Sequence, residues 1–372
     1  MGGKYASESS STGGLDSGFR QRISLQELSK VNNPCSIHGI YPYRGKMSGI
    51  DAAQVISQLP RNWTLLDPFC GTGTILYEAQ VHGMSAIGVD NNPLACTIAQ
   101  GKTEPLDVKK TLDHLVLAIS DARSLEKSPR MSSSVAQYFH PITRHQIMRM
   151  VAVSDGFSAF EHSILYGSIC VTARACNGWT WTSTSIGRVC PKLRPIDFYD
   201  VMMRKARKHV LFVKGTPSVR ILCHDTRHIH EVLPEQSVNV VYTSPPYFDA
   251  LDYTGYYSRL VLDILKVDRA ELRKGLIQSF STYRSDMTQA LRSIQRVVRE
   301  DGLVILVVGD RMVRRRLIRG SEFFAEIAPW GKPYVIERSY TETPSGLWDR
   351  INMTDRKEEV LVWDLREGGL SR

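Results

Sequence analysis

Asp67-Pro68-Phe69-Cys70-Gly71-Thr72-Gly73-Thr74 decides how this chain is to be read. It follows the apolar run Thr64 to Leu66, which predicts a short buried strand ending at Asp67, and it precedes a helical run from Ile75 to about His82. Glycines where a strand hands over to a helix let a ligand approach the backbone closely, and the helix N-terminus favours electron-rich groups. Ala86 to Val89 predict a second strand ending at Asp90. Asn91-Asn92-Pro93 then opens another helix, with Asn92 as its N-cap and Pro93 at the first helical position. Strand, glycine turn, helix, strand, helix is the beginning of a doubly wound, mostly parallel α/β sheet.

A GxG turn would equally suit a dinucleotide fold. Two features argue against that reading: Leu76 stands where GxGxxG needs its third glycine, and Asp67 precedes the glycines, where it can catch a cationic group. Asp90 is placed to accept hydrogen bonds from two ribose hydroxyls. Upstream, His38 to Lys46 form a turn-rich loop that either folds over a bound ligand or simply packs.

Sheet signals return at Val219 to Leu222 and Val238 to Tyr242. The second run stops at Thr243-Ser244-Pro245-Pro246-Tyr247, because two consecutive prolines cannot continue a ladder. Such a stop holds its last polar groups rigidly at the strand tip, beside an aromatic. Met287 to Glu300 read as an amphipathic helix, Asp301-Gly302 as a turn, and Leu303 to Val308 as a continuous apolar strand. Tyr334 to Arg338 and Glu359 to Trp363 supply two more strands for an antiparallel end.

The 372 residues suffice for one large or two ordinary domains. Seven cysteines are scattered singly without a CxxC pair, which suits a reducing compartment and matches no usual zinc spacing, so no metal is expected. No stretch approaches the roughly 20 apolar residues of a membrane span, and the expected location is cytoplasmic. Residues 1–16 are Gly/Ser-rich and read as a disordered tail. Residues 103–217 lack strand alternation and read as a mainly helical insertion between 17–102 and 218–372, which together form the sheet domain.

The net charge is +9, and ten Lys or Arg against two Asp between Val171 and Arg220 supply most of it. Arg174, Arg188, Arg194, Arg204, Lys205 and Lys208 stand there among Trp179, Trp181, Phe198 and Tyr199. That mixture fits phosphate contacts with stacking, although basic helices covering a sheet and tryptophans in a core would produce it too. Arg314-Arg315-Arg316 with Arg319 reads as a solvated face that could also track phosphates.

Taken together, DPFCGTGT, GVDNNP and TSPPY resemble the amino-methyltransferase branch of the class I S-adenosylmethionine-dependent methyltransferases, whose pattern is DPFxGxGT with (D/N/S)PPY. Ile40-Tyr41-Pro42-Tyr43 and Ile221 to Arg227 are similar to further family features, and the resemblance covers Ile37 to about Pro105 and Ser218 to Trp363. It implies a Rossmann-like seven-stranded sheet and S-adenosylmethionine as cofactor. It assigns cofactor contacts to Tyr43, Asp67, Phe69, Gly71, Gly73, Thr74, Asp90, Asn91 and Asp225.

The same resemblance makes Ser244, Pro245, Pro246 and Tyr247 the reacting rim. The Ser244 hydroxyl and the Pro245 carbonyl accept from an exocyclic amine, the prolines keep these groups still, and Tyr247 stacks on the base. Phe248, Tyr253, Tyr256 and Tyr257 either line the pocket or pack beneath it. SPPY is commoner in enzymes acting on cytosine N4, and DPPY or NPPY in those acting on adenine N6. The expectation is therefore a cytosine-N4 methyltransferase of double-stranded DNA within a modification system, with or without a cognate restriction endonuclease. The alternatives are adenine N6 or an RNA base as target, or a nucleic-acid-binding homologue that has lost catalysis, against which Ser244, Tyr247 and Asp90 speak. Motif order departs from the commonest cytosine-N4 arrangement, in which PPY comes first, and this leaves the place of target recognition open.

Overall fold

The computed structural model describes residues 23, 37–43, 47–182, 186–246, 252–313, 316–338 and 358–366. The chain enters through a 3-10 turn at Ile37–Gly39 and helix α1 (Gly49–Ile56), then forms β1 (Thr64–Asp67), α2 (Thr74–Val81), β2 (Ser85–Asp90) and α3 (Pro93–Thr103). The predicted cap is formed, since the Leu94 N–H donates to Asn92 Oδ1 at 3.1 Å with Pro93 following. Five helices come next: α4 (Val108–Ser124), α5 (Ser133–Ala136), α6 (Pro141–Ala152), α7 (Ala159–Cys176) and α8 (Phe198–His209). The sheet resumes with β3 (Val219–Cys223) and β4 (Val238–Thr243). Helices α9 (Tyr256–Ile264), α10 (Arg269–Gly275) and α11 (Tyr283–Val297) lead into β5 (Val298–Gly309).

After β5, β6 (Arg311–Val313) and β7 (Arg316–Ile318) pair antiparallel in the arginine-rich stretch, for which the sequence suggested no strands. Arg314 and Arg315 lie outside the described residues. Helix α12 (Gly320–Ile327), β8 (Tyr334–Arg338) and β9 (Glu358–Asp364) complete the fold.

The seven strands of the main sheet run in the order β3-β2-β1-β4-β5-β9-β8. Neighbours from β3 to β5 pair in parallel, whereas β9 is antiparallel to both β5 and β8. This is the doubly wound, mostly parallel sheet expected from the sequence. Strand order reverses between β1 and β4, and such a switch point opens a crevice at the carboxyl ends of the strands. Asp67 and Thr243 are the last residues of those two strands.

Central strands covered on both faces need apolar side chains at nearly every position. Leu65, Val240, Tyr242 and Ile305 accordingly face α1 and α2, while Leu66, Val241, Val304 and Leu306 face α11 through Met287, Leu291 and Ile294. The expected helix to Glu300 and turn at Asp301-Gly302 are not formed: α11 ends at Val297 and both residues lie within β5, whose ladder carries a break in register, Val238 pairing with Val298 but Val240 with Leu303. The helices of 103–217 share one apolar core with Tyr41, Tyr43, Leu94 and α9. No helix among the described residues is long and apolar enough to cross a membrane.

Candidate functional site

The glycine turn takes its shape from backbone that only glycine adopts cheaply. Gly71 and Gly73 have φ of +47° and +69°, and a Cβ on Gly73 would lie 2.8 Å from that of Ala99 on α3. The turn closes through Gly73 N–H to the Cys70 carbonyl at 2.7 Å and is fastened to β2 by Cys70 N–H to the Val89 carbonyl at 2.9 Å. Gly71 N–H thereby faces β2, where it donates to Asp90 Oδ2 at 3.0 Å. The Asn92 N–H donates to Asp90 Oδ1 at 2.8 Å. Burial pushes the Asp90 carboxyl up to about 6, against the pull of these two hydrogen bonds.

Asp67 is buried at the end of β1. The Thr243 hydroxyl donates to its Oδ1 at 2.6 Å, with the Phe69 N–H at 3.3 Å, so this carboxylate ties β1 to the tip of β4. Burial pushes Asp67 up to about 7. Beyond Thr243 the rim continues with half-buried Ser244, buried Pro245 and partly exposed Pro246. Tyr283 Oη–H on α11 donates to the Pro246 carbonyl at 2.6 Å and fixes the outer edge of this rim. Tyr247 and Phe248 lie outside the described residues.

A cleft lies at the switch point, at the carboxyl ends of β1 and β4. Its walls bring together nine residues singled out from sequence: Tyr43, Phe69, Gly71, Asp90, Asn91, Asp225, Ser244, Pro245 and Pro246. Gly73 and Thr74 shape the turn from behind, and Asp67 likewise does not line the cleft.

Four lining residues escaped the sequence assignment of cofactor and reacting-rim residues: Thr226, Tyr253, Leu276 and Ile277. Tyr253 stacks on Tyr43 with ring centroids 6.2 Å apart and planes at 25°, whereas the sequence left its place between lining and packing. Leu276 and Ile277 belong to the α10–α11 link, which Asn91 Nδ2 reaches through the Gly275 carbonyl at 2.5 Å.

Asp225 both lines the cleft and caps the 3-10 turn Thr226–Glu231 by accepting the Arg227 N–H at 2.9 Å. Burial works to raise its carboxyl, but the Arg227 hydrogen bonds together outweigh that and hold it below the ordinary carboxylate range. Arg227 also reaches Asp286 on α11 at 2.9 Å and the Gly275 carbonyl at 3.3 Å, so one guanidinium joins three pieces of the far wall.

The six cations expected to meet nucleic acid fall into two groups. Arg204, Lys205 and Lys208 are on α8, where Arg204 pairs with Asp200 at 2.9 Å and Lys205 donates to the Gly39 carbonyl at 3.1 Å. Arg174, Arg188 and Arg194 gather at the turn that follows α7. The Arg174 guanidinium lies 5.3 Å over the Trp179 ring, and the Arg194 N–H donates to the Cys176 carbonyl at 2.9 Å. Among the aromatics, Trp181, Phe198 and Tyr199 are core, which removes them from any stacking role, while Trp179 stands exposed.

No family model matches the chain. Over 111 residues it is 30% identical to the Type II methyltransferase M.MjaII of Methanocaldococcus jannaschii, an alignment covering 28% of this chain and 20% of that protein. Over 57 residues it is 44% identical to the Type II methyltransferase M.MvaI of Kocuria varians, covering 15% of this chain and 12% of the relative. The chain thus spans a fifth or less of the length of either relative. Among solved structures, the rRNA methyltransferase aviRa from Streptomyces viridochromogenes overlaps 94% of this chain and 97% of its own, with a TM-score of 0.35 and 13% identity. A SAM-dependent methyltransferase from Agrobacterium tumefaciens overlaps 85% of this chain and 60% of its own, with a TM-score of 0.35 and 8% identity. Superpositions that loose add nothing to the strand order and the cleft described above.

Proposed function

We propose that the chain is a DNA methyltransferase that uses S-adenosylmethionine to methylate the exocyclic N4 amine of a flipped-out cytosine. The observation that carries this reading is that one cleft joins the glycine-turn wall of Gly71 and Asp90 to the Ser244-Pro245-Pro246 rim. The two short alignments, both to proteins named Type II methyltransferases, support it.

The donor set fits a nucleoside cofactor. A carboxylate oxygen offers two acceptor directions, so each Asp90 oxygen can meet a ribose hydroxyl beside its backbone donor. Phe69, Leu276 and Ile277 provide the apolar surface that a purine needs, and Gly71 leaves the backbone open to close approach. Bound S-adenosylmethionine supplies an electrophilic methyl group on a sulfonium.

The rest is positioning by the protein, because an amine lone pair needs no protein nucleophile if it is aimed along the methyl–sulfur axis. The Ser244 hydroxyl and the Pro245 carbonyl accept the two amine hydrogens, which turns the nitrogen lone pair out of conjugation with the ring. The prolines and the Tyr283 bond hold these acceptors before substrate arrives, so little reorganisation accompanies the reaction. A base in duplex DNA reaches the rim only after extrusion from the stack. Ser244 in place of Asp or Asn favours cytosine, by the resemblance of TSPPY to the cytosine-N4 enzymes.

The test is incubation with labelled S-adenosylmethionine and either DNA or RNA, followed by digestion to nucleosides. Label is expected in N4-methylcytosine from DNA. Label confined to N6-methyladenine, or to RNA, would overturn the substrate assignment, and stabilisation by NAD without S-adenosylhomocysteine would overturn the cofactor.

A further inference from the structure

The turn after α7 holds an exposed tryptophan in an unfavourable backbone conformation. Trp179 has φ +62° and is 55% exposed, although a bulky residue avoids the left-handed region and a large aromatic avoids water. Both costs persist only where the surroundings over-determine the geometry.

The turn is built to do so. Trp179 N–H donates to the Arg174 carbonyl at 2.9 Å and Gly178 N–H to the Ala175 carbonyl at 3.0 Å. Beneath it, the buried Asn177 side chain donates to the Tyr138 carbonyl at 3.0 Å and accepts from the Cys190 N–H at 2.9 Å. Two residues on, Trp181 is buried edge-on against Tyr138 and donates to the Arg188 carbonyl at 2.9 Å. One tryptophan anchors the turn while the other is presented to solvent.

Two guanidinium groups stand at this turn. Arg174 covers part of the presented ring, and the guanidinium of Arg194 lies 3.7 Å from where a Cβ on Gly178 would sit. The segment after the turn is tied to α9, because Tyr257 Oη–H donates to the Thr182 carbonyl at 2.6 Å. Tyr257 lies in the first turn of α9, four residues after the cleft-lining Tyr253.

We infer that Trp179 is a base-stacking site for the substrate DNA outside the target pocket, with Arg174 and Arg194 meeting the adjoining phosphates. A planar ring carrying an anion satisfies both features of the turn, and stacking on an aromatic tolerates any base. The inference uses the methyl-transfer reading to identify the ligand as DNA; the stacking itself is tested independently.

The experiment measures binding of a short labelled DNA duplex with one central mismatch, which presents an unstacked base, to the full chain and its variants. Trp179→Ala should weaken binding about 10-fold, and Trp179→Phe should retain most of the affinity. The salt slope should stay unchanged in Trp179→Ala and become shallower by about 0.9 in Arg194→Ala, which removes one phosphate contact. Trp179→Gly suits the left-handed backbone, so it should lose binding with Tm unchanged or higher.

Wild-type affinity in Trp179→Ala, no DNA binding by the wild-type chain, or lost binding with a Tm several degrees lower in both Trp179→Ala and Trp179→Gly would each overturn the inference. Trp179-dependent binding of the matching RNA hairpin and not of DNA would overturn the choice of DNA. S-adenosylmethionine affinity is measured alongside: its absence in the wild-type chain would defeat the methyl-transfer reading, while a Trp179-dependent loss of DNA binding would still uphold the stacking site.

Discussion

The two walls of the cleft solve different problems with different chemistry. On the β1–β2 side, Asp90 holds two backbone N–H groups and sits beside glycines, so this wall offers charge and an open backbone. On the β4 side the described rim residues offer no carboxylate, only a hydroxyl and carbonyls held by consecutive prolines and by Tyr283. The first arrangement suits affinity for a polar ligand; the second suits fixing the direction of an approaching atom. Asp67 joins them from beneath through Thr243, so the walls share a foundation but not a task. Removing groups from each wall should therefore change different quantities.

The largest effect is expected at the β4 wall. Ser244→Ala removes one of two preorganised acceptors and should lower kcat by about 100- to 1,000-fold, the range seen when one such group is deleted elsewhere. The dissociation constant for S-adenosylmethionine should change little. A parallel loss of cofactor affinity, measured by calorimetry, would show that the walls are not separable.

Asp90→Ala is the converse. Hydrogen bonds to a charged group contribute about 1.5–3 kcal/mol, so cofactor affinity should fall roughly 10- to 150-fold. At saturating cofactor, kcat should stay within a few-fold of the parent. The pH dependence has a definite sign. Because burial raises Asp90 from an ordinary 3.8 to about 6, its contribution to folding stability is fully present below 3.8 and is lost as pH rises through about 6. Cofactor binding should run the other way, because hydroxyl donors favour the carboxylate. Affinity should hold above about pH 6 and weaken below it, and Asp90→Asn should flatten the profile across that window.

How legible each wall was in the sequence follows from what marks it. Glycines with a left-handed φ, an Asn-Pro cap, and prolines after an apolar run are residue types that few other contexts require. Phe69, Gly71, Asp90, Asn91 and Ser244 to Pro246 could therefore be placed at the cleft before the fold was known, whereas Asp67, Gly73 and Thr74, assigned to the cofactor with them, do not line it. Leu276 and Ile277 carry no such mark: a Leu-Ile pair in a link between helices reads like any other, and its place depends on Asn91 reaching the Gly275 carbonyl across 184 residues of chain. Trp179 and Trp181 make the point sharply, since two residues of one type two positions apart end in solvent and in the core. Only the turn geometry separates them. Asp225 was legible as a position but not in its bonding, because its partner Arg227 also serves Asp286 and Gly275.

The finest test of the comparison lies in a bond that supports the β4 wall without touching the reacting atoms. Tyr283 is buried, packs its ring against Phe323 with centroids 5.5 Å apart, and donates its hydroxyl to the Pro246 carbonyl. Tyr283→Phe keeps the ring and its packing while deleting one hydrogen bond, a change of about 0.5–1.5 kcal/mol. If the rim acts by rigid positioning, some of that energy is lost specifically in the reacting geometry. kcat should then fall about 2- to 10-fold, with cofactor affinity unchanged and Tm lowered only slightly. A Tyr283→Phe variant with an unaltered kcat would mean that the prolines alone hold Ser244 and Pro245, and that α11 merely covers the sheet at this point. A fall in cofactor affinity of the same size as the fall in kcat would mean that the bond stabilises the whole cleft, and the division of labour between its walls would have to be given up.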